Sequence, residues 1–276
     1  MTFALTLNDQ QIIQRPVLTP PPLTVNKYDR GWAMIFSGPA LRTGASRLAA
    51  QAALAVGAGL VTIIGQDDAL REHSAHVTAI MLAERSPDLQ AVDSRVTALA
   101  IGPAYGAGPT VRSDVIALAG QGRPMVLDAD AITVFAGTSE TLFAAMHDQI
   151  VMTPHEGEFA RLFRDIDLTD RRHAALEAAN RAGAVIVLKG AQSIIAAPDG
   201  RYAINTHSSP WLATAGSGDV LTGLICGIMT QGVDSFRAAC CAAWLHGEYW
   251  HSGRGRLDSR FDDKAHPLCI ERYYGC

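Results

Sequence analysis

Short apolar runs alternate along the chain with stretches in which apolar residues recur every three or four positions. Uncharged runs rich in β-branched residues are typical of strands that are buried on both faces. They predict strands over Trp32–Phe36, Leu60–Ile64, Thr78–Leu82, Ala98–Ile101, Pro124–Leu127, Gln149–Met152, Val185–Leu188, Ser193–Ala197 and Tyr202–Asn205. The amphipathic stretches predict helices over Gly44–Val56, Pro109–Leu118, Ser139–Met146, Glu156–Phe163, Asp170–Arg181, Gly218–Met229 and Ser235–His246. This alternation predicts an α/β fold of three αβα layers with a mostly parallel central sheet.

The strand and helix pattern occupies one uninterrupted segment. Prolines punctuate residues 1–25, which we interpret as an extended N-terminal lead-in. No linker or internal repeat divides residues 26–250, so we predict a single domain there. Residues 251–276 are richer in charged side chains and have no helical period, which indicates a divergent polar C-terminal tail.

Composition narrows the class of protein. Hydrophobic residues make up 48% and charged residues 18%, as in soluble globular proteins. The formal net charge is -4 with no basic run, which argues against nucleic-acid or anionic membrane partners. The uncharged stretch 48–66 changes from helical to strand-like at Gly57 and Gly59, so we do not interpret it as a membrane span. No secretory leader is visible, and the five cysteines form no C-x-x-C pair, which favours the cytoplasm.

Small or chemically active residues follow several predicted strands. Ligands of parallel sheets bind beyond the carboxyl ends of the strands, so these residues are expected to meet at one edge. They are Ser37-Gly38-Pro39, Gly102-Pro103-Ala104, Asp128-Ala129-Asp130, Thr153-Pro154-His155-Glu156 and Lys189-Gly190.

The segment Gly216-Ser217-Gly218-Asp219 directly precedes an apolar helix. Glycines at a helix start expose backbone N–H groups, which form a site for an anion. No Gly-Lys-Ser/Thr follows, so the segment is not a P-loop. Asp219 either complements the helix dipole or takes a proton from an attacking hydroxyl.

The other polar residues allow two interpretations each. Lys189 is either a phosphate ligand or a solvated lysine in a turn. His155 either contacts a substrate or is structural at a helix start. Asp128 and Asp130 either position Mg²⁺ or a ribose, or Asp130 caps the next helix. The remaining histidines show no metal-ligand spacing, so no transition metal is predicted, and no side chain is assigned to a metal.

Thr214–Gly223 resembles the anion-hole motif of the ribokinase-like superfamily. Further motifs follow one another in the order that this superfamily's ADP/ATP-dependent NAD(P)H-hydrate dehydratase family shows. They are Lys27, Arg30-Gly31, Gly44-Ala45, Val56-Gly57-Ala58-Gly59-Leu60-Val61, Ile101-Gly102-Pro103, Leu127-Asp128-Ala129-Asp130-Ala131, Thr153-Pro154-His155-Glu156-Gly157-Glu158 and Val187-Leu188-Lys189-Gly190. The resemblance covers roughly residues 26–247 and implies a ribokinase-like fold.

The resemblance implies a metabolite-repair enzyme. Family members act on NADH or NADPH hydrated at C6 of the nicotinamide ring. They phosphorylate the C6 hydroxyl and eliminate the phosphate, typically with ADP as donor in bacterial-type members, leaving AMP. It further implies Mg²⁺ on the phosphate oxygens, a homo-oligomer such as a tetramer, and a separate NAD(P)H-hydrate epimerase as functional partner.

The same resemblance implies residue roles. Asp219 would be the general base that deprotonates the C6 hydroxyl. The implied anion hole comprises Ala215, Gly216, Ser217 and Gly218. The implied nucleotide-binding residues are Lys189, Gly190, Ala191, Gln192, Ser193 and Gly218. The implied hydrate-binding residues are Ala45, Gly102, Ala104, His155 and Asp219.

The chain departs from the family pattern in three places. Ser37-Gly38-Pro39 stands for Gly-Gly-Ser, and Gly102-Pro103-Ala104 stands for Gly-Pro-Gly. Ser209–Gly216 replaces Asn-Pro-Gly-Met-Ala-Thr-Gly-Gly, and its Trp211 either stacks on a base or packs in the core. These changes leave the choice between ADP and ATP open.

Two other functions compete with the dehydratase. One is a ribokinase-like kinase of a vitamin-precursor alcohol, and the other is a nucleotide-binding protein without turnover. Thr153–Glu158 and Gly44-Ala45 favour the dehydratase over the kinase.

Overall fold

The computed structural model describes residues 1–86, 89 and 92–251. Apart from His251, the predicted tail 251–276 lies outside the described residues. The strands are β1 Thr2–Ala4, β2 Val17–Thr19, β3 Trp32–Phe36, β4 Leu60–Gly65, β5 Met81–Glu84, β6 Ala98–Ile101, β7 Met125–Leu127, β8 Ile150–Met152, β9 Val185–Leu188, β10 Ser193–Ala196 and β11 Tyr202–Asn205. The helices are α1 Gly44–Ala55, α2 Asp67–Ser74, α3 Pro109–Ala119, α4 Asp130–Thr133, α5 Ser139–Phe143, α6 Glu156–Leu162, α7 Arg171–Ala182, α8 Ser217–Met229 and α9 Ser235–His251.

Nine of these strands form one sheet in the order β11-β10-β9-β8-β7-β6-β3-β4-β5. Neighbouring strands from β9 to β5 are parallel, whereas β10 pairs antiparallel with β9 and with β11. The predicted mostly parallel sheet is therefore confirmed. The chain runs outward from β3 to β5 and returns to β6, so the strand order reverses between β3 and β6. Such a reversal opens a crevice at the carboxyl ends of the strands.

Helices cover both faces of the sheet. Along β3, Ala33 and Ile35 belong to the core shared with α1, α8 and α9. Met34 and Phe36 alternate with them and belong to the core shared with α3, α5, α6 and α7. Successive strand residues point to opposite faces, so a continuously apolar strand is buried on both. The three predicted layers are therefore present.

Helices α1 and α8 pack with their backbones in contact. A Cβ built on Gly223 would lie 2.1 Å from the carbonyl oxygen of Ala49, and one on Gly227 would lie 2.6 Å from that of Ala53. Only glycine permits this approach, which fixes the position of α8 on the sheet. The position of α8 matters because its first turn carries Asp219.

The main differences from the predicted elements lie around α2 and β5. The predicted strand Thr78–Leu82 is wrong by three residues at its start, because β5 begins at Met81. This strand is at the sheet edge and is mostly exposed, so its register follows pairing with β4 rather than burial. Helix α2 was not predicted, and its two buried residues, Ala69 and His73, give little apolar signal.

The lead-in packs against the domain. Strands β1 and β2 form an antiparallel ribbon, and Phe3, Ile13 and Leu18 are buried in the same core as α9. The N–H of Ile13 donates to the carbonyl of Ile204 in β11 over 3.0 Å. Within the described part of the chain, no helix has the length and apolar character that crossing a membrane requires. The uncharged stretch 48–66 forms α1 and β4, as predicted.

Candidate active site

Five segments that follow strands meet at the carboxyl edge of the sheet. Strands β3, β6, β7, β8 and β9 are parallel neighbours, so the residues after them share one edge. These residues begin with Ser37, Gly102, Asp128, Thr153 and Lys189. The expectation that they converge on one edge is confirmed.

The start of α8 faces this edge. Gly216 precedes the helix with φ of +86°, a left-handed conformation that glycine adopts without strain. Because glycine has no side chain to cap the helix, the N–H groups of Gly218 and Asp219 are available to an outside acceptor, whereas that of Ser217 donates to the carbonyl of Thr214 over 3.4 Å. A Cβ built on Gly218 would lie 3.6 Å from both Asp128 Oδ2 and Lys189 Nζ. The first turn of α8 therefore lies against the residues that follow β7 and β9.

Asp219 lies in that first turn and is partly buried. Burial raises the pKa of its carboxyl to about 6, the negative charge of Asp128 adds to the rise, and Lys189 opposes it. A carboxylate of this kind is a stronger base than an ordinary aspartate and is ionised at neutral pH. Asp219 thus has the properties that a general base requires.

Lys189 forms a buried ion pair. Its Nζ lies 2.8 Å from Asp128 Oδ1 and 3.9 Å from Glu158 Oε2. Burial opposes its charge, but Asp128 and Glu158 outweigh burial and raise the pKa of the ammonium. The interpretation of Lys189 as a solvated lysine is therefore wrong. Asp128 also accepts a 2.9 Å hydrogen bond at Oδ2 from Thr222 of α8, a partner that sequence reasoning missed.

His155 begins α6. Its Nδ1 accepts hydrogen bonds from the N–H groups of Gly157 and Glu158, and the Glu158 carboxylate accepts one from the N–H of His155. This reciprocal capping orients the ring. More than half of the side chain, 54%, remains exposed at the edge of the sheet. His155 is therefore structural through one ring nitrogen, and its exposed ring is accessible to a ligand.

Strained backbone surrounds the ends of β6 and β7. Gly102 has φ of +127°, and a Cβ there would lie 1.8 Å from the carbonyl oxygen of Asp128. Ala104 and Ala129 have φ of +53° and +47°, which is unusual for residues with a side chain. Such strain concentrates at functional sites. Asp130 accepts a 2.8 Å hydrogen bond from the N–H of Gly106 rather than acting as the residue before α4.

The loop between β3 and α1 is held by α2. Ser37 Oγ lies 2.8 Å from Nε2 of the buried His73. Glu72 accepts a 2.7 Å hydrogen bond from the N–H of Leu41. Ala45 follows this loop in the first turn of α1 and is partly exposed. The predicted hydrate-binding residue Ala45 therefore lies in the predicted helix α1, and α2 holds the loop that leads into it.

The segment Lys189–Ser193 forms the turn from β9 into β10. Arg171 of α7 donates to the backbone carbonyls of Gln192 over 2.5 Å and Lys189 over 3.0 Å. A Cβ on Gly190 would lie 2.3 Å from the Arg171 guanidinium, so glycine makes room for this contact. Sequence reasoning missed Arg171, because only the fold brings α7 beside this turn.

Trp211 lies in a short 3₁₀ turn, Pro210–Leu212, ahead of the exposed Ala215 and of Gly216. Its exposure is 75%, so the interpretation of Trp211 as a core residue is wrong. Ser208 donates a 2.6 Å hydrogen bond to the carbonyl of Ala191. The segment that carries Trp211 is thereby tied to the turn after β9.

A cavity of about 690 Å³ lies at the opposite, amino edge of the sheet. It is lined by Pro124, Gln149 and Val185 at the starts of β7, β8 and β9, together with the β10–β11 turn and the α8–α9 loop. Arg201 in this lining pairs with Asp199 over 2.7 Å and approaches Asp234 at 3.6 Å. None of the predicted site residues lines this cavity.

Comparison with known proteins points to one family. Residues 33–252 match the family model described as NAD(P)H-hydrate dehydratase. The ADP-dependent (S)-NAD(P)H-hydrate dehydratase of Neisseria meningitidis is 37% identical over 227 residues, which cover 79% of this chain and 75% of that protein. The bifunctional NAD(P)H-hydrate repair enzyme Nnr of Gloeobacter violaceus is 37% identical over 243 residues, covering 85% of this chain and 46% of that protein.

A solved structure shows the same fold. The crystal structure of the ADP/ATP-dependent NAD(P)H-hydrate dehydratase of Bacillus subtilis superposes with a TM-score of 0.78 at 26% identity, covering 94% of both chains. The fold is therefore ribokinase-like, as the sequence resemblance implied. The chain spans about half the length of the bifunctional curated relatives that it matches.

Proposed function

The chain belongs to the NAD(P)H-hydrate dehydratase family, and we propose that it converts the S-epimer of hydrated NADH or NADPH back to NADH or NADPH. In this reaction the C6 hydroxyl oxygen bonds to the β-phosphorus of ADP as its proton passes to a base. The bond from that phosphorus to the bridging oxygen breaks, and AMP leaves. Loss of the phosphate with a ring proton then restores the double bond.

Asp219 is the base in this proposal. The observation that carries it is the partly buried Asp219 carboxylate in the first turn of α8, with its pKa raised to about 6 by burial and then by Asp128. At neutral pH this carboxylate is ionised yet holds a proton more readily than a solvated aspartate. It lies within one turn of the N–H groups that would hold the phosphoryl group. The hydroxyl and the phosphorus are thus brought to one place.

The anion hole and the nucleotide site are assigned to adjacent segments. Uncapped N–H groups around Gly216 and Gly218 are suited to the negative charge on a transferred phosphoryl group. Lys189 reaches Gly218 from the end of β9, and the turn that follows it is braced by Arg171. We assign Lys189–Ser193 with Gly218 to the nucleotide, and Ala215–Gly218 to the anion hole.

The hydrate pocket is assigned to the edge beside the strand-order reversal. Gly102 and Ala104 follow β6, and Ala45 lies in the first turn of α1 after the loop from β3; the crevice opens between these two strands. His155 approaches from the end of β8 with its ring exposed. Small residues at these positions leave room for a nicotinamide ring to reach Asp219.

Magnesium fits the charge of this site. Asp128, Glu158 and Asp219 surround a single lysine, so a diphosphate would bring more negative charge to a site that is already negative. Within the described residues, no group of three or more His, Cys, Asp or Glu is arranged to hold a metal. Mg²⁺ would accordingly take its ligands from phosphate oxygens and water, and its charge would offset that of the phosphates.

The functional partners follow from the reaction. An NAD(P)H-hydrate epimerase would supply the S-epimer, and the repair enzyme of Gloeobacter violaceus is named bifunctional. We also propose a homo-oligomer, a tetramer by family resemblance, acting in the cytoplasm. The free, buried thiols of Cys226, Cys240 and Cys241 are compatible with a reducing compartment.

The test is recovery of reduced-nicotinamide absorbance from hydrated NADH with the purified protein, Mg²⁺ and either ADP or ATP. Recovery with one nucleotide, with stoichiometric AMP from ADP or ADP from ATP, establishes the reaction and its donor. A phosphorylated product that accumulates without recovery would instead identify a kinase. Nucleotide binding with no reaction on the hydrate would contradict the proposal.

A further inference from the structure

Asp128 is a buried carboxylate between three elements of the site. The residue follows β7 and is 2% exposed. Oδ1 accepts from Lys189 at the end of β9 over 2.8 Å, and Oδ2 accepts from Thr222 of α8 over 2.9 Å. Both carboxylate oxygens thus have a donor, and the carboxylate joins β9 to α8.

The backbone at Asp128 is held as firmly as the side chain. Its N–H donates to the carbonyl of Ile101 over 3.2 Å, and its carbonyl accepts from the N–H of Ala131 over 3.1 Å. Gly102 packs against the same carbonyl, and Ala129 follows in a left-handed conformation. Backbone strain of this kind persists only where the surroundings impose it. The placement of this carboxylate is therefore strongly determined.

Burial and hydrogen bonding distinguish Asp128, which positions its neighbours, from Asp219, which acts as the base. A general base must reach its substrate, and Asp128 is buried with its two oxygens against Lys189 and Thr222. Asp219 is partly exposed, whereas Asp128 is buried. The carboxylate of Asp128 acts on the reaction through its neighbours.

We propose that Asp128 is a positioning residue that holds the Lys189 ammonium against the first turn of α8 and keeps the region beside Asp219 negatively charged. The proposal rests on the proposed dehydratase function for its kinetic consequence. The sequence alone allowed Asp128 to contact Mg²⁺ or a ribose, and the proposal makes it a positioning residue instead.

The charges around Asp219 set the direction of the effect. Asp128 faces it from β7, Lys189 from β9, and Glu158 of α6 faces Lys189 from the far side. His246 of α9 lies behind Ser217, and burial lowers its pKa to about 4, so it is neutral at the pH of the reaction. Of these groups, Asp128 is the one whose negative charge raises the pKa of Asp219. Removing that charge should make Asp219 a weaker base that ionises at lower pH.

The experiment compares the wild type with Asp128→Asn, in which the amide keeps a hydrogen-bond partner for both Lys189 and Thr222 but carries no charge. Asp219 is titrated in the ligand-free protein by carbon-13 NMR of its carboxyl carbon, identified by its loss in Asp219→Asn. The acid limb of kcat/KM is measured in parallel. Both midpoints should fall by about one pH unit in Asp128→Asn, because a nearby like charge has been removed.

Two control variants distinguish the loss of the Asp128 charge from a change in the structure around it. Thr222→Val removes a hydrogen bond to Asp128 but no charge, so its midpoint should stay at the wild-type value. If Asp128→Asn does not fold, Asp128→Ala combined with Lys189→Met removes both charges of the ion pair together, and Glu158 keeps its hydrogen bond from the N–H of His155. The midpoint of this double variant should also fall, by less, because the opposing charge of Lys189 has gone as well.

An NMR midpoint that is the same in Asp128→Asn and wild type would overturn the inference, whatever the activity. An equal fall in Thr222→Val would overturn it too, since a structural change alone would then suffice. A wild type inactive on the hydrate would refute the proposed function but leave the NMR comparison intact. The two failures are therefore distinguishable.

Discussion

The ion pair at the amino edge of the central sheet is exposed, whereas the ion pair at the carboxyl edge is largely buried. At the amino edge, Arg201 pairs with Asp199 beside a cavity of about 690 Å³, and both side chains are 53% exposed. At the carboxyl edge, the Lys189–Asp128 pair is 22% and 3% exposed and lies against the start of α8. Exposed pairs contribute little energy, whereas buried charges strongly affect their neighbours.

This comparison shows that the presence of a cavity does not by itself identify the functional edge of the sheet. The amino edge offers space, but its charges neutralise one another in contact with solvent. At the carboxyl edge, the first turn of α8 has an uncapped start and a carboxylate with a raised pKa, and strained backbone follows β6 and β7. Those features cost stability, so their concentration at one edge indicates function.

The largest expected effect at the carboxyl edge comes from Asp219→Ala. Removing a general base should lower kcat by about 10³-fold or more, while ADP affinity measured by calorimetry changes little. Asp130→Asn removes another carboxylate from the same edge and should lose far less activity, because Asp130 bonds to the N–H of Gly106. Comparable turnover in Asp219→Ala and wild type would remove Asp219 from its role.

A smaller effect is expected from Gly102→Ala. The new Cβ would lie 1.8 Å from the carbonyl oxygen of Asp128 at φ of +127°, so the backbone must shift. We expect a loss of about 2–3 kcal/mol in the free energy of unfolding, measured by urea denaturation, and a lower kcat/KM.

Gly122→Ala is the matched control for this change. Gly122 has φ of +66° and no atom within 4 Å of a built Cβ, so only the conformational cost of about 1 kcal/mol applies. Equal losses for the two variants would show that close approach to Asp128 is unimportant.

The smallest effect is expected from Arg201→Ala at the amino edge. The change removes an exposed pair with Asp199 and a contact with the Phe236 ring at 4.8 Å. The free energy of unfolding should fall by at most about 1 kcal/mol, and kcat/KM should not change. A clear loss of kcat/KM at unchanged stability would mean that the amino edge takes part in the reaction.

Apolar runs and helix-start residues were sufficient to predict the elements that local sequence determines. Strands such as β3 are uniformly apolar because both faces are buried, and Gly216–Asp219 marks a helix start by its own chemistry. The residues at the strand ends could be placed on one edge because parallel strands end together. The bounds of helix α2 and of strand β5 could not be predicted in this way, since exposed or polar positions dominate both.

Pairing between distant residues was beyond the sequence. Lys189 and Asp128 are 61 positions apart, and Thr222 and Asp128 are 94 apart, so only the fold brings them together. Lys189 alone resembles any lysine in a turn, and Asp128 alone resembles a ligand of magnesium or of a ribose. Their function depends on burial and contact, which apolar periodicity does not encode.

The contact between the lead-in and β11 has a consequence for solubility. The outermost strand of a sheet presents unpaired backbone groups, on which a strand from another molecule can add. At Ile204 both groups are occupied, since its carbonyl accepts from Ile13 and its N–H donates to Gln11 over 2.8 Å. The beginning of the chain thus shields this margin of the sheet from edge-to-edge aggregation.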